Sequence, residues 1–217
     1  MKRSSARAVW LFALLGSGAS CAGSSARADV ILYDNLGNGA QGYRSVTVLT
    51  WEAQRFNSAS NTLALTSATL NLDSESGGSG TFFLQLDTDA AGQPGTALAT
   101  LFTGPDPFTG PFPQSGNILF GGLNQPVVPN TNYWLVLGEN SGASFDLRWG
   151  STSNLTGTGS GFQTTNATTN NQGGTWSVSS TTSHVMQLTA TAAPEPSSLL
   201  LGLFGGCALL ARRWRRG

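Results

Sequence analysis

The sequence has 217 residues, long enough for one or two domains, and only 10% of them are charged, well below the usual fraction of about 25%. The eleven basic and eleven acidic side chains cancel, but they are segregated along the chain. Between Asp29 and Ala193 ten acids meet only Arg44, Arg55 and Arg148, a formal charge of −7 with no lysine, which argues against a nucleic-acid partner.

The first segment reads as a secretory signal peptide over residues 1–28. Lys2, Arg3 and Arg7 form a basic start, Ala8 to Ala22 is mostly apolar, and Ala26-Arg27-Ala28 supplies small residues ahead of Asp29. Signal peptidase is expected to cut between Ala28 and Asp29. A lipoprotein signal using Cys21 is the alternative; Gly18-Ala19-Ser20 has the small character, but the usual Leu three positions upstream is missing. A buried first helix of the domain should be amphipathic, and this stretch is not.

The body, residues 29–193, shows short apolar or alternating runs broken by Gly, Pro, Asn and Ser, with no long helical period. Expected strands are Val30–Tyr33, Arg44–Leu49, Trp51–Phe56, Thr62–Leu65, Ala68–Asp73 and Thr81–Asp87. They continue with Ala97–Phe102, Asn117–Phe120, Tyr133–Gly138, Phe145–Trp149, Thr175–Val178 and His184–Ala190. Thr81–Leu86 and Tyr133–Leu137 are the most apolar and are placed centrally, whereas Leu98–Leu101 suits an edge. About a dozen short strands predict an all-β fold, a single jelly-roll-like β-sandwich. Ser151–Thr182, rich in Ser, Thr, Asn and Gly, is expected to be a surface excursion with a weak hairpin around Phe162 and Trp176.

Catalytic chemistry finds little support in the body. Cys21 and Cys207 both lie in the terminal segments, so the body has no disulfide framework and no thiolate metal site. The only histidine, His184, falls in a late strand, and no G-x-S-x-G elbow is present. Asp73/Glu75 and Asp87/Asp89 share a face at strand ends, where acids commonly solvate turns. A glycosidase pair would need two carboxyls held about 5–10 Å apart. Asp87-Thr88-Asp89-Ala90-Ala91-Gly92 has the oxygen ligands and Gly turn that calcium favours, but it lacks a third acid in register and a distal Glu. No cofactor is expected. Among the tryptophans, Trp51, Trp134 and Trp149 have apolar neighbours that suit a core. Trp176, beside Gly173, Gly174 and Ser177, is the candidate exposed ring and the candidate glycan contact. Asn154-Leu155-Thr156 and Asn166-Ala167-Thr168 match the glycosylation pattern, which such Asn/Thr-rich loops generate by chance.

The tail, residues 194–217, has three parts in order. Pro194-Glu195-Pro196 stops regular structure. Ser197 to Ala211 carries no charge, and at about 1.5 Å per residue it spans about 22 Å, short of a hydrocarbon core of about 30 Å. Arg212, Arg213, Arg215 and Arg216 close the sequence around Trp214; Arg212 and Arg213 are expected to snorkel and Trp214 suits the interface, so a locally thinned bilayer could accept the segment. The arginines orient such a membrane segment with its end inside and the body outside, in agreement with the signal peptide. A plain tail anchor is the simpler alternative.

This ordered set resembles the PEP-CTERM sorting signal. The resemblance implies that Pro194, Glu195 and Pro196 are recognised by an exosortase-type processing enzyme, with the tail removed or exchanged, in Gram-negative bacteria that make extracellular polysaccharide. The body also resembles the choice-of-anchor R type domain through Ala53-Gln54-Arg55-Phe56, Asp89-Ala90-Ala91-Gly92-Gln93-Pro94-Gly95 and Thr131-Asn132-Tyr133-Trp134-Leu135-Val136-Leu137. That family implies a fold and an exported address but no activity. The sequence therefore predicts a non-enzymatic surface or matrix protein, exported and then held in the membrane by its C-terminus before processing. The alternatives are a carbohydrate-binding module acting in extracellular polysaccharide and, third, a secreted glycoside-active enzyme.

Overall fold

The computed structural model describes residues 29–192 and arranges them as two antiparallel β-sheets packed face to face. The strands are β1 (Asp29–Asp34), β2 (Gly42–Val46), β3 (Trp51–Asn57), β4 (Leu63–Ser74), β5 (Phe82–Ala90), β6 (Gln93–Gly104) and β7 (Gln114–Val127). They continue as β8 (Asn132–Glu139), β9 (Leu147–Thr152), β10 (Asn166–Thr169), β11 (Ser177–Ser179), β12 (Ser183–His184) and β13 (Met186–Ala192). The first sheet runs β1-β13-β4-β9-β12, with β7 on the other side of β4 and β2 on the other side of β9. The second runs β11-β10-β3-β8-β5-β6. The expected all-β sandwich is therefore present. Residues 1–28 and 193–217, which hold the cleavage site, the Pro-Glu-Pro motif and the terminal arginines, lie outside the described residues.

Side-chain alternation builds the core. Phe56, Leu84, Leu86, Leu135 and Leu137 point inward from the second sheet and meet Leu70, Leu72, Trp149, Leu188 and Ala190 of the first. Each fully buried Leu of this kind contributes about 1.5–3 kcal/mol of transfer free energy. β5 and β8 are interior strands and β6 is an edge, as their composition predicts. The two runs expected at Thr62–Leu65 and Ala68–Asp73 are one strand. A β-bulge between Leu65 and Ser67 advances the phase by one residue, so that Leu63 and Leu65, then Ala68, Leu70 and Leu72, all face the core.

The excursion between β9 and β12 is more structured than its composition suggests. Asn166–Thr169 pairs with β3 and Ser177–Ser179 pairs with Asn166–Thr168, which extends the second sheet by two strands. Phe162 is not part of this hairpin. Its ring packs on Tyr33, centroids 4.7 Å apart, and belongs to the main core.

Strand registers define two poles. Asp29 lies opposite Thr191, and Ala192 opposite Leu63, so both ends of the described chain leave from one pole. The short connections β3–β4, β5–β6 and β7–β8 lie at that pole. The β2–β3, β4–β5, β8–β9 and β10–β11 turns lie at the far one.

At the far pole β8 ends in Glu139, which is only 4% exposed. Burial pushes its carboxyl up to about 7; a hydrogen bond from the Leu147 backbone opposes the shift, and the charges of Asp146 and Asp106 add to it. Because the folded-state value lies above the ordinary one of 4.5, ionisation costs stability as pH rises from about 4.5 to about 7. Glu139→Gln removes that cost and can still accept the Leu147 bond. Thermal melts should show the variant more stable than wild type by several degrees at pH 8 and equal to it at pH 4.5; equal melting at both values would count against the shift.

Candidate functional site

The inward-facing polar residues form a seam that joins the sheets. Alternation in β3 puts Glu52 and Gln54 on the same side as Phe56, where they meet β12 of the opposite sheet. His184 is fully buried and stacks on Trp149, centroids 4.3 Å apart and planes 16° from parallel. Its Nε2 lies 3.2 Å from Glu52 Oε2, and its backbone N–H donates to Gln54 Oε1 at 2.8 Å. Asn35 Nδ2 donates to the His184 carbonyl at 3.0 Å and to Ser183 Oγ at 3.1 Å, while Asn35 Oδ1 accepts from the Met186 N–H at 2.8 Å. Burial drives the Tyr33 phenol strongly upward, so it stays neutral beside this group. Ser183, adjacent in sequence to the histidine, has its hydroxyl on Asn35 rather than on the imidazole. The seam is a structural latch between the sheets, closed to solvent.

The opposite face of the second sheet carries the remaining chemistry. Trp51, Ala53 and Arg55 of β3, Trp134, Val136 and Gly138 of β8, and Phe83, Gln85, Asp87 and Asp89 of β5 alternate away from the core. Ala53, Phe83, Trp134, Val136 and Ala167 form a second apolar cluster there, with Trp51 and Trp176 packed against it. Trp149 alone of the three tryptophans expected in the core belongs to the main one; Trp134 is buried and Trp51 half-buried on this outer face, because their strand phase is that of Ala53 and Val136.

Toward the pole of the chain ends this face is charged. Arg55, Trp134 and Asp87 are cross-strand neighbours. Arg55 Nε sits 2.9 Å from Asp89 Oδ1, but its N–H is not aimed along that line, so the contact is an ion pair rather than a directed hydrogen bond. The guanidinium lies 6.0 Å from the Trp134 ring centroid. Asp89 Oδ1 also accepts from Trp134 Nε1 at 2.8 Å, and its Oδ2 accepts from the Gly92 N–H at 3.1 Å, which fixes the β5–β6 turn. Asp87 is 3% exposed, accepts from Gln85 Nε2 at 2.9 Å, and is pushed by burial up to about 6. The Asp87/Asp89 pair thus shares one face as its spacing predicts, with Asp89 committed to protein partners on both oxygens. Among the described residues no three His, Cys, Asp or Glu side chains are grouped to hold a metal ion. Asp73 of the other acidic pair binds Arg148 on the first sheet, as does Glu75.

Toward the far pole the face is aromatic and neutral. Trp51 meets Phe83 edge-on, centroids 5.0 Å apart and planes 86° from parallel. Trp176 is half-buried beside a shallow pocket of about 340 Å³ with Thr168, Thr169, Asn170, Asn171, Thr175 and Ser177. A larger groove of about 720 Å³ lies at the other pole, between Leu98, Val128, Asn130 and Asp89. Asp29, the residue expected after signal cleavage, is exposed at the start of β1.

The latch and the Arg55–Trp134–Asp89 cluster were not anticipated from the sequence. The available signal was the two-residue period of Trp51–Asn57, which separates Glu52 and Gln54 from Ala53 and Arg55. No protein-family model matches the chain, and no curated protein does. Among the described residues no helix is long and apolar enough to cross a membrane.

Gly138 lets the aromatic end close, because a Cβ there would collide with both Phe83 and Trp51. Gly138→Ala should therefore destabilise the fold by about 1–3 kcal/mol, read as a lower denaturant midpoint with unchanged slope. An unchanged midpoint would show that the two rings can move apart freely.

Proposed function

We propose that this chain is an exported, non-enzymatic surface or matrix protein: a jelly-roll-like sandwich carried outside by the signal peptide at 1–28 and sorted through the PEP-CTERM-like tail at 194–217. A membrane segment at about 197–211 holds it before an exosortase-type enzyme processes the tail. The observation that carries this proposal is the order of charges along the sequence. Cationic ends flank apolar stretches, and the −7 body between them has no lysine, so both ends call for the same orientation. Two features of the fold support it. Asp29 and Thr191 are paired, so a tail in the membrane would leave the whole sandwich standing on one pole. From β6 to β10 successive strands switch between the sheets, which favours the jelly-roll-like description.

The test is replacement of Arg212, Arg213, Arg215 and Arg216 by Gln in the natural host. Membrane retention before processing should fall about tenfold, while protease added to spheroplasts should digest the wild-type body. Intact mass of the mature protein should begin at Asp29. Unchanged fractionation of the variant, or a body sheltered from protease, would refute the orientation.

A further inference from the structure

The pole farthest from both ends of the described chain carries the Trp176 pocket, and we propose that it binds a neutral polysaccharide. Trp176 is the ring that lines the pocket, and Trp51 packs beside it on the other side of one turn. They flank Gly173, where a Cβ would lie 2.9 Å from Trp51 Cζ3 and 3.8 Å from Trp176 Cζ2. The glycine adopts φ +83° directly after Gln172 at φ +57°, so the chain turns tightly between the indoles without a side chain to separate them. An indole face takes the apolar C–H face of a pyranose ring, and the sugar hydroxyls need donors and acceptors at its rim. The rim here consists of threonine, serine and asparagine side chains, with no ionisable group among the pocket residues.

The loop is already ordered for this task. Asn171 Oδ1 accepts from the Thr175 N–H at 2.8 Å and from Thr169 Oγ1 at 2.6 Å. The Gln172 N–H donates to the Leu49 carbonyl at 3.0 Å, and Thr50 Oγ1 donates to Asn170 Oδ1 at 3.2 Å, tying the loop to the β2–β3 turn. A ligand therefore meets a shape fixed before binding, and the ordering cost does not fall on the complex. The −7 body repels polyanions, which selects an uncharged chain. The larger groove at the other pole is a poorer candidate: the Tyr133 hydroxyl on its floor accepts from the Val128 N–H, and Asp89 is bound to Trp134.

The experiment is affinity electrophoresis of the purified full chain in mild detergent, through native gels containing hydroxyethyl cellulose, galactomannan or dextran, and through one containing alginate. Retardation is expected in at least one neutral gel, weakened about tenfold by Trp176→Ala and partly restored by Trp176→Phe. Asn170→Ala, at an exposed position, should weaken the same binding severalfold, so the outcome does not hang on the tryptophan variant folding. Gln125→Ala, in the groove at the other pole, should leave it unchanged. No retardation in any neutral gel, undiminished retardation in both pocket variants, or stronger retardation in alginate would overturn the assignment. Binding in detergent does not depend on export, so its failure would leave the sorting proposal standing, and the reverse also holds.

Discussion

The pairing of β1 with β13 is the contact on which the arrangement of this molecule depends. It joins the first described strand to the last and places Leu32 and Tyr33 in the core. It brings both ends of the described chain to one pole, so the opposite pole is the one farthest from them. The free edge of β1 does not stay open. Asp34 and Thr158 exchange two backbone hydrogen bonds of 2.8 Å, and the Gly161 N–H donates to the Leu32 carbonyl at 2.8 Å. Gly159, at φ +108°, lies so close to the Leu32 backbone that any side chain there would clash. The loop after β9 thus shields an edge that would otherwise offer itself to another chain.

A sandwich whose sheets met only through apolar side chains would tolerate sliding, since dispersion contacts are nondirectional. The latch of Glu52, Gln54, Asn35 and His184 removes that freedom, because each bond has a fixed length and partner. Its cost is the desolvation of several polar groups, offset where a partner is present. The offset is incomplete at His184 Nδ1, which finds no hydrogen-bond partner among the described residues. Stacking on Trp149 holds the ring in the plane that serves Glu52, so the imidazole functions as a spacer between sheets.

Much of the architecture was legible in the sequence because the strands follow a two-residue period and the turns carry Gly, Asn and Pro. The central placement of β5 and β8 follows from their apolar runs, which must be covered on both faces. What the period could not convey was a change of phase: the bulge in β4 breaks the alternation at Thr66 and makes one strand look like two. β10 was missed for a different reason. Asn166-Ala167-Thr168-Thr169 has little apolar content, and it becomes a strand only because β3 presents an edge for it to pair with. The Trp176 pocket was half legible. The ring and its small neighbours stood out, but Trp51 was assigned to the core because nothing local in the sequence reveals which face of β3 it occupies.

The distribution of cations decides what kind of partner the outer surface can serve. Of the three arginines in the body, Arg148 is held by Asp73 and Glu75 and lies 5.5 Å from the Tyr43 ring centroid. Arg55 is held between Asp89 and Trp134. Both guanidiniums are fixed in pairs with the body's own acids on the outer faces of the sheets, where they relieve carboxylates that would otherwise repel one another. Among the described residues only Arg44, exposed on β2, stands apart from such pairs, and one cation cannot gather a polyanion against ten acids. The proposed recognition of a neutral polysaccharide would then rest on stacking and neutral hydrogen bonds, and the far pole is where a ring face, amides and hydroxyls come together. A ligand recognised in this way would be held with little dependence on salt, because stacking and neutral hydrogen bonds are not screened by ions.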